Sequence, residues 1–145
     1  MAQARAIARR FAQGGYRMIM MARDRERLKH LESEIADAKA CLCDIGNLDV
    51  LLATLKDIRA EMGNPAILVH NVVSDTFSTF LDADPEDLKR NFRVNTTALL
   101  YLARDLAPAM VAAGSGAIVV TGNTAALRGI PTYVLFAPTK AAQHF

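Results

Sequence analysis

Residues 117–140, A-I-V-V-T-G-N-T-A-A-L-R-G-I-P-T-Y-V-L-F-A-P-T-K, decide how the rest of the chain is read. A short apolar run (117–121) gives way to a loop punctuated by Gly122, Gly129 and Pro131, and then to the start of a helix carrying Lys140. An apolar run of that length bounded by loop signals is the pattern of a strand covered on both faces, because helices above and below a parallel sheet leave no side for water. In open sheets of this kind ligands gather beyond the carboxyl ends of the strands, where loop backbone and helix N-termini face them. A site is therefore expected just beyond residue 121.

The chain upstream repeats the same alternation. Ala4, Ile7, Ala8 and Phe11 fall at helical spacing and stop at Gly14-Gly15, a C-terminal cap signal. R-M-I-M-M-A (17–22) reads as a strand, and Asp24 as the N-cap of a helix whose apolar side is Leu28, Leu31 and Ile35. A second strand is expected over 40–43. Asn47 caps a third helix, with Leu51, Leu55, Ile58 and Met62 as its stripe and Gly63 as its end, and 66–70 is a further strand. Asp84 as N-cap, Pro85 at the first helical position and Asp87 in the first turn open a long helix. It carries Leu88, Phe92, Asn95, Leu99, Leu102 and Leu106, with a kink or break expected at Pro108 and closure at Gly114-Ser115-Gly116. Helix and strand alternating in this way imply a parallel sheet with helices on both faces.

Composition narrows the function classes. At 145 residues, 52% hydrophobic and 22% charged, the chain is globular and sized for one domain. Net charge is +2, and in D-R-E-R-L-K-H-L-E-S-E acids alternate with bases, the mark of a solvated helix face, so no nucleic-acid partner is expected. No apolar run approaches the roughly 18 residues that span a bilayer and nothing resembling a signal peptide opens the chain, so the expectation is no membrane partner and a cytoplasmic location. Cys41 and Cys43 read as structural thiols. His30, His70 and His144 lack ligand spacing, and no metal is expected.

The stretch 117–140 resembles the catalytic segment of the short-chain dehydrogenase/reductase family, in which a strand ends near a Ser and a Tyr-x-x-x-Lys follows. In that register Asn123 stands at the Ser position, Phe136 at the Tyr position, and Lys140 is the family's Lys. The resemblance runs through nearly the whole chain. Ala22-Arg23-Asp24 falls where the family meets the adenosine ribose, and an Arg there suits a 2′-phosphate, which favours NADP(H) over NAD(H). Asp44 and Ile45 resemble the family's adenine-contacting Asp and the apolar residue after it. L-V-H-N-V-V (68–73) is similar to the family's Leu-Val-Asn-Asn-Ala-Gly, keeping Asn71 but replacing the small Ala-Gly pair by Val72-Val73. Asn95 matches the family's helix Asn, which bends the helix and anchors a water that links the Lys to solvent.

The family implies a Rossmann-like doubly wound parallel sheet and hydride transfer between NADP(H) and a carbonyl or alcohol substrate, with a homo-oligomer as the expected assembly of a full-length chain. It also implies a Tyr acting as acid/base, a Lys that lowers its pKa and holds the nicotinamide ribose, and a Ser that positions the substrate oxygen. With Phe136 and Asn123 in place, the expected site residues are Lys140, Asn95, Asn123 and Phe136 on the catalytic side and Arg23, Asp44, Ile45, Asn71 and Lys140 toward the cofactor. Impaired chemistry is expected, or else a non-catalytic relative that keeps the fold as a binding or interaction module. A flavodoxin-like receiver shares the alternation but not the ordered Asp44, Asn71, Asn95 and Lys140. The family's first strand with its glycine-rich loop and its last two strands have no counterpart here. The whole chain, 1–145, is therefore expected to be one partial dinucleotide-binding domain, incomplete in its sheet. The family's first strand is central, so two strand pairs without their common neighbour are expected, and with them a chain that is not by itself a stable, cofactor-binding monomer.

Overall fold

The computed structural model describes residues 2–144. The chain divides into two compact units, Met1–Leu55 and Lys56–Phe145.

The first unit holds α1 (Ala2–Gln13), β1 (Met18–Ala22), α2 (Arg25–Glu34), β2 (Ala38–Leu42) and the opening of α3 (Leu48–Met62). Gly15, at φ 83°, ends α1 in the left-handed conformation that glycine reaches without strain. Asp24 caps α2, its carboxylate accepting from the Arg27 N–H at 3.1 Å. β1 and β2 run parallel, from Met18 opposite Ala38 to Ala22 opposite Leu42, and α2 is the crossover that parallel pairing requires. Its core is Ala8, Met20, Leu28 and Ile35, with Met18, Ala22, Leu31, Ala38 and Ala40 packed around them. β2 begins at residue 38 and not 40, because Asp37, at φ 55°, turns the chain so that its carbonyl accepts from Met18 and pairing starts at once. Arg5 and Arg9 on α1 both reach Glu34 at the end of α2, tying the two helices together on the surface.

The second unit takes the rest of α3, then β3 (Ile67–His70), α4 (Pro85–Phe92), a π-helical segment (Arg93–Thr97), α5 (Ala98–Ala112), β4 (Ala117–Val120), a 3-10 turn (Thr124–Ala126), α6 (Ala137–Ala141) and a last 3-10 turn (Ala142–His144). β3 and β4 are parallel, Ile67 opposite Ala117 and His70 opposite Val120, and Thr121 N–H adds one more bond to the His70 carbonyl. Asp84 accepts from Glu86 N–H at 2.9 Å with Pro85 next to it, as the sequence signals require. Arg59 and Asp105 form a two-pronged ion pair at 2.7 and 3.1 Å between α3 and α5.

Two expectations are corrected here. Pro108 does not end its helix: α5 runs through it to Ala112, since a proline ring facing solvent removes only one backbone bond near a helix end. The irregularity sits at Asn95, in the π-helical segment. And β4 is not covered on both faces, for Ile118 and Val119 stay exposed in a two-stranded sheet. Gly116, just before β4, is obligatory, because a Cβ there would lie 2.6 Å from Met110 on α5. Two parallel strand pairs, each with helical crossovers, are what an incomplete Rossmann-like α/β fold presents. No described helix is long and apolar enough to cross a membrane.

Candidate functional site

In both units the expected site residues collect at the carboxyl ends of the strands. In the first unit Arg23 follows β1 and is exposed, while Asp44 and Ile45 follow β2. Asp44 is exposed, with Oδ1 accepting from the Gly46 N–H at 3.0 Å, and Ile45 is buried. Cys43 beside them is buried and free, and burial pushes its thiol up, so it is an inert packing residue as expected.

In the second unit the site is built around Asn95. The π-helical segment gives the helix one extra residue at this point, a geometry concentrated at functional sites. Asn95 is fully buried and every polar atom of its side chain is engaged. Oδ1 accepts from Ser74 N–H at 2.8 Å, and Nδ2 donates to the Ser74 carbonyl and to Thr139 Oγ1, both at 2.9 Å. One turn earlier Asn91 repeats the device: it accepts from Ser74 Oγ at 2.6 Å and donates to the Leu135 carbonyl at 3.0 Å. The loop after β3 and the chain entering α6 are thus both held on one helix. Asn71 stands at the end of β3, half-buried.

Lys140 is 2% exposed, and its ammonium donates to the Thr121 carbonyl at 3.1 Å and to Gln143 Oε1 at 3.0 Å. Burial pulls it below the ordinary lysine value. His70 is equally buried. Its Nε2–H donates to the Asn95 carbonyl at 3.2 Å, which leaves Nδ1 as an unprotonated acceptor with no partner among the described residues. Burial lowers the imidazole pKa, the bond to Asn95 opposes this, and the charge of Lys140 adds to the lowering. A neutral ring results.

Phe136 precedes α6 as its N-cap and is buried against Phe77 and Tyr133, with ring centroids at 5.6 and 5.9 Å. Tyr133 stacks on Phe77 at 5.0 Å and lies in the loop, bridged to Ser78. α6 begins at Ala137, with Pro138 in its first turn, where a residue without an N–H costs no helical bond. Asn123 is exposed. Its Oδ1 accepts from Ala125 N–H at 2.8 Å, which leaves Nδ2 as an outward donor without a partner among the described residues. The site therefore offers an ammonium and an amide donor to an oxygen-bearing ligand, but no phenol at position 136. Sequence reasoning missed Ser74, Asn91, Thr139 and Gln143. Only spacing marked them: Asn91 lies four residues before Asn95, and Gln143 three after Lys140.

A model of the short chain dehydrogenase family matches residues 4–145. The chain belongs to the short-chain dehydrogenase family. The bovine (Bos taurus) short-chain dehydrogenase/reductase 3 is 29% identical to it over 143 residues, 95% of this chain and 47% of that protein. The NADP-dependent 3-hydroxy acid dehydrogenase YdfG of Escherichia coli (strain K12) is 32% identical over 121 residues, 82% of this chain and 49% of that protein. Among solved structures, a metagenomic short-chain oxidoreductase in complex with NADP superposes with a TM-score of 0.91 at 28% identity, over 97% of this chain and 66% of that one. The chain spans about half the length of the curated relatives it matches. This short-chain dehydrogenase thus sits in an oxidoreductase family that uses nicotinamide dinucleotides and small-molecule substrates, and the expected family and fold are borne out.

Proposed function

We propose that this short-chain dehydrogenase binds NADP(H) and serves hydride transfer between that cofactor and a carbonyl or alcohol substrate, with its proton-transfer step impaired. The observation that carries the reading is the buried Lys140, held at the carboxyl end of β4 with two of its donors satisfied by the protein and one left for a ligand. Within the first unit the residues after β1 and β2 suit the adenosine end of such a cofactor. Arg23 supplies a planar guanidinium for a 2′-phosphate, and Asp44 accepts from the adenine with Ile45 against the ring. Asn71 and Lys140 hold the nicotinamide ribose, and Asn123 Nδ2 donates to the substrate oxygen. The cofactor, when bound, supplies the hydride chemistry. What this chain lacks is an acid, because Phe136 has no proton to give. General acid catalysis is worth about 10²–10⁴-fold, so turnover at that fraction of an ordinary reductase is expected. Phe136→Tyr should restore a rate gain of that order in NADPH oxidation across a carbonyl panel; no gain, with NADPH still bound in titration calorimetry, sinks the impaired-reductase reading.

A second reading is supported by one further observation. Phe136 does not merely lack a hydroxyl but completes an aromatic cluster with Phe77 and Tyr133, and Val72-Val73 stand after β3 where the family has its small Ala-Gly pair. A non-catalytic protein that keeps the fold as a binding module would show that pattern. Absence of turnover in both the parent and Phe136→Tyr favours it.

A further inference from the structure

Gln143 belongs to no motif, yet both halves of its amide enter the site. Its Oε1 accepts from Lys140 Nζ at 3.0 Å, and its Nε2 donates to the peptide oxygen of Asn95 at 2.5 Å. The orientation of the amide is forced. An ammonium only donates and a peptide oxygen only accepts, so a flipped amide would set donor against donor at one end and acceptor against acceptor at the other. The Asn95 oxygen is itself fixed, accepting also from His70 Nε2 at 3.2 Å.

A lysine ammonium has three N–H groups on a flexible four-carbon stem. Here the Thr121 carbonyl takes one and Gln143 takes another. With two of the tetrahedral directions at Nζ occupied, the third is no longer free to choose. We propose that Gln143 is a positioning residue that, together with Thr121, aims the one uncommitted N–H of Lys140 at a ligand oxygen. This rests on the reading of Lys140 as the residue that holds the nicotinamide ribose. Without the amide the ammonium keeps a single protein acceptor and swings about it, so the ligand must order the side chain as it binds.

The test reads Lys140 first without any cofactor. Acetylation rates of the five lysines are followed by mass spectrometry in the parent chain, Gln143→Met and Gln143→Glu, with Lys29, Lys39, Lys56 and Lys89 reporting that the fold is intact. Met keeps the length of Gln but has no acceptor, whereas Glu keeps the acceptor. Lys140 should be labelled about tenfold faster in Gln143→Met and as slowly as in the parent in Gln143→Glu. A residue that merely packs gives the reverse order, since Met preserves its shape and Glu puts a charge beside the Asn95 oxygen. Any order other than Met fast and Glu slow overturns the proposal. Titration calorimetry then supplies the second arm: Gln143→Met should weaken NADPH binding about tenfold, and unchanged binding overturns the aiming role. A parent chain that binds no NADPH, with the labelling order as expected, overturns the ribose reading alone.

Discussion

Asn95 is fixed by its side chain and its peptide oxygen at once. The side chain clasps Ser74 and Thr139, and the oxygen receives His70 and Gln143. For His70 this has a pH consequence. Its folded pKa lies below the ordinary 6.5, so between the two values the unfolded chain binds more protons than the folded one. The free energy of unfolding then rises with pH across that window and is lost as pH falls below about 6.5. Urea midpoints taken from pH 8 down to pH 5 should decline below 6.5, and His70→Asn should flatten that decline; an equal slope in the variant would assign the acid sensitivity elsewhere. At this scale the sequence was legible where chemistry is carried by type and register, as with Lys140 and Asn95. It was opaque for Gln143, because an amide's role depends on which two groups it meets, and those come from residues 95 and 140.

Among the elements, the long helix opened by Pro85 is irregular at Asn95, as the resemblance implies, and unbroken at Pro108. The proline at 108 passes through a continuous helix, while the distortion falls at Asn95, where the ladder shifts to the π spacing. Pro108 is exposed and leaves one carbonyl of α5 without its N–H. Pro108→Ala should therefore stabilise the protein by about 1–3 kcal/mol, read as a higher thermal midpoint; a lower one would mean that the ring's restriction of the unfolded chain outweighs the missing bond. Caps and stops were readable in advance, since Asp24, Asn47, Asp84 and Gly63 act through neighbours a few residues away. The irregularity at Asn95 was readable only through the resemblance, whose helix Asn bends the helix; local spacing gave no sign of it, and the side chain's partners, Ser74 and Thr139, lie far away in sequence.

For the whole molecule, the described sheet consists of two separate parallel pairs. Two-stranded sheets are marginal in water, and their edges and apolar faces are templates for association. Leu42, Ile118 and Val119 are exposed on these strands. The 145-residue chain should self-associate in a concentration-dependent manner in sedimentation velocity, and a single monomeric boundary across a hundredfold range would refute this. The alternation of elements made the fold class legible, and the family's central strand made the separation into pairs legible as well. Exposure of β4 was not, because an apolar run records the burial a strand is suited to and says nothing of which neighbours are present.

Gly116 carries an implication for how this chain can vary over time. With the Cβ of Met110 2.6 Å from where a side chain would begin, and with φ at 155°, position 116 stays closed to every other residue even when the far end of the side chain at 110 shrinks, because any residue but glycine at 110 keeps that Cβ. The two sites therefore vary unequally: the end of the side chain at 110 can change while 116 holds its glycine, and any lineage that replaces that glycine passes through an overpacked, strained chain.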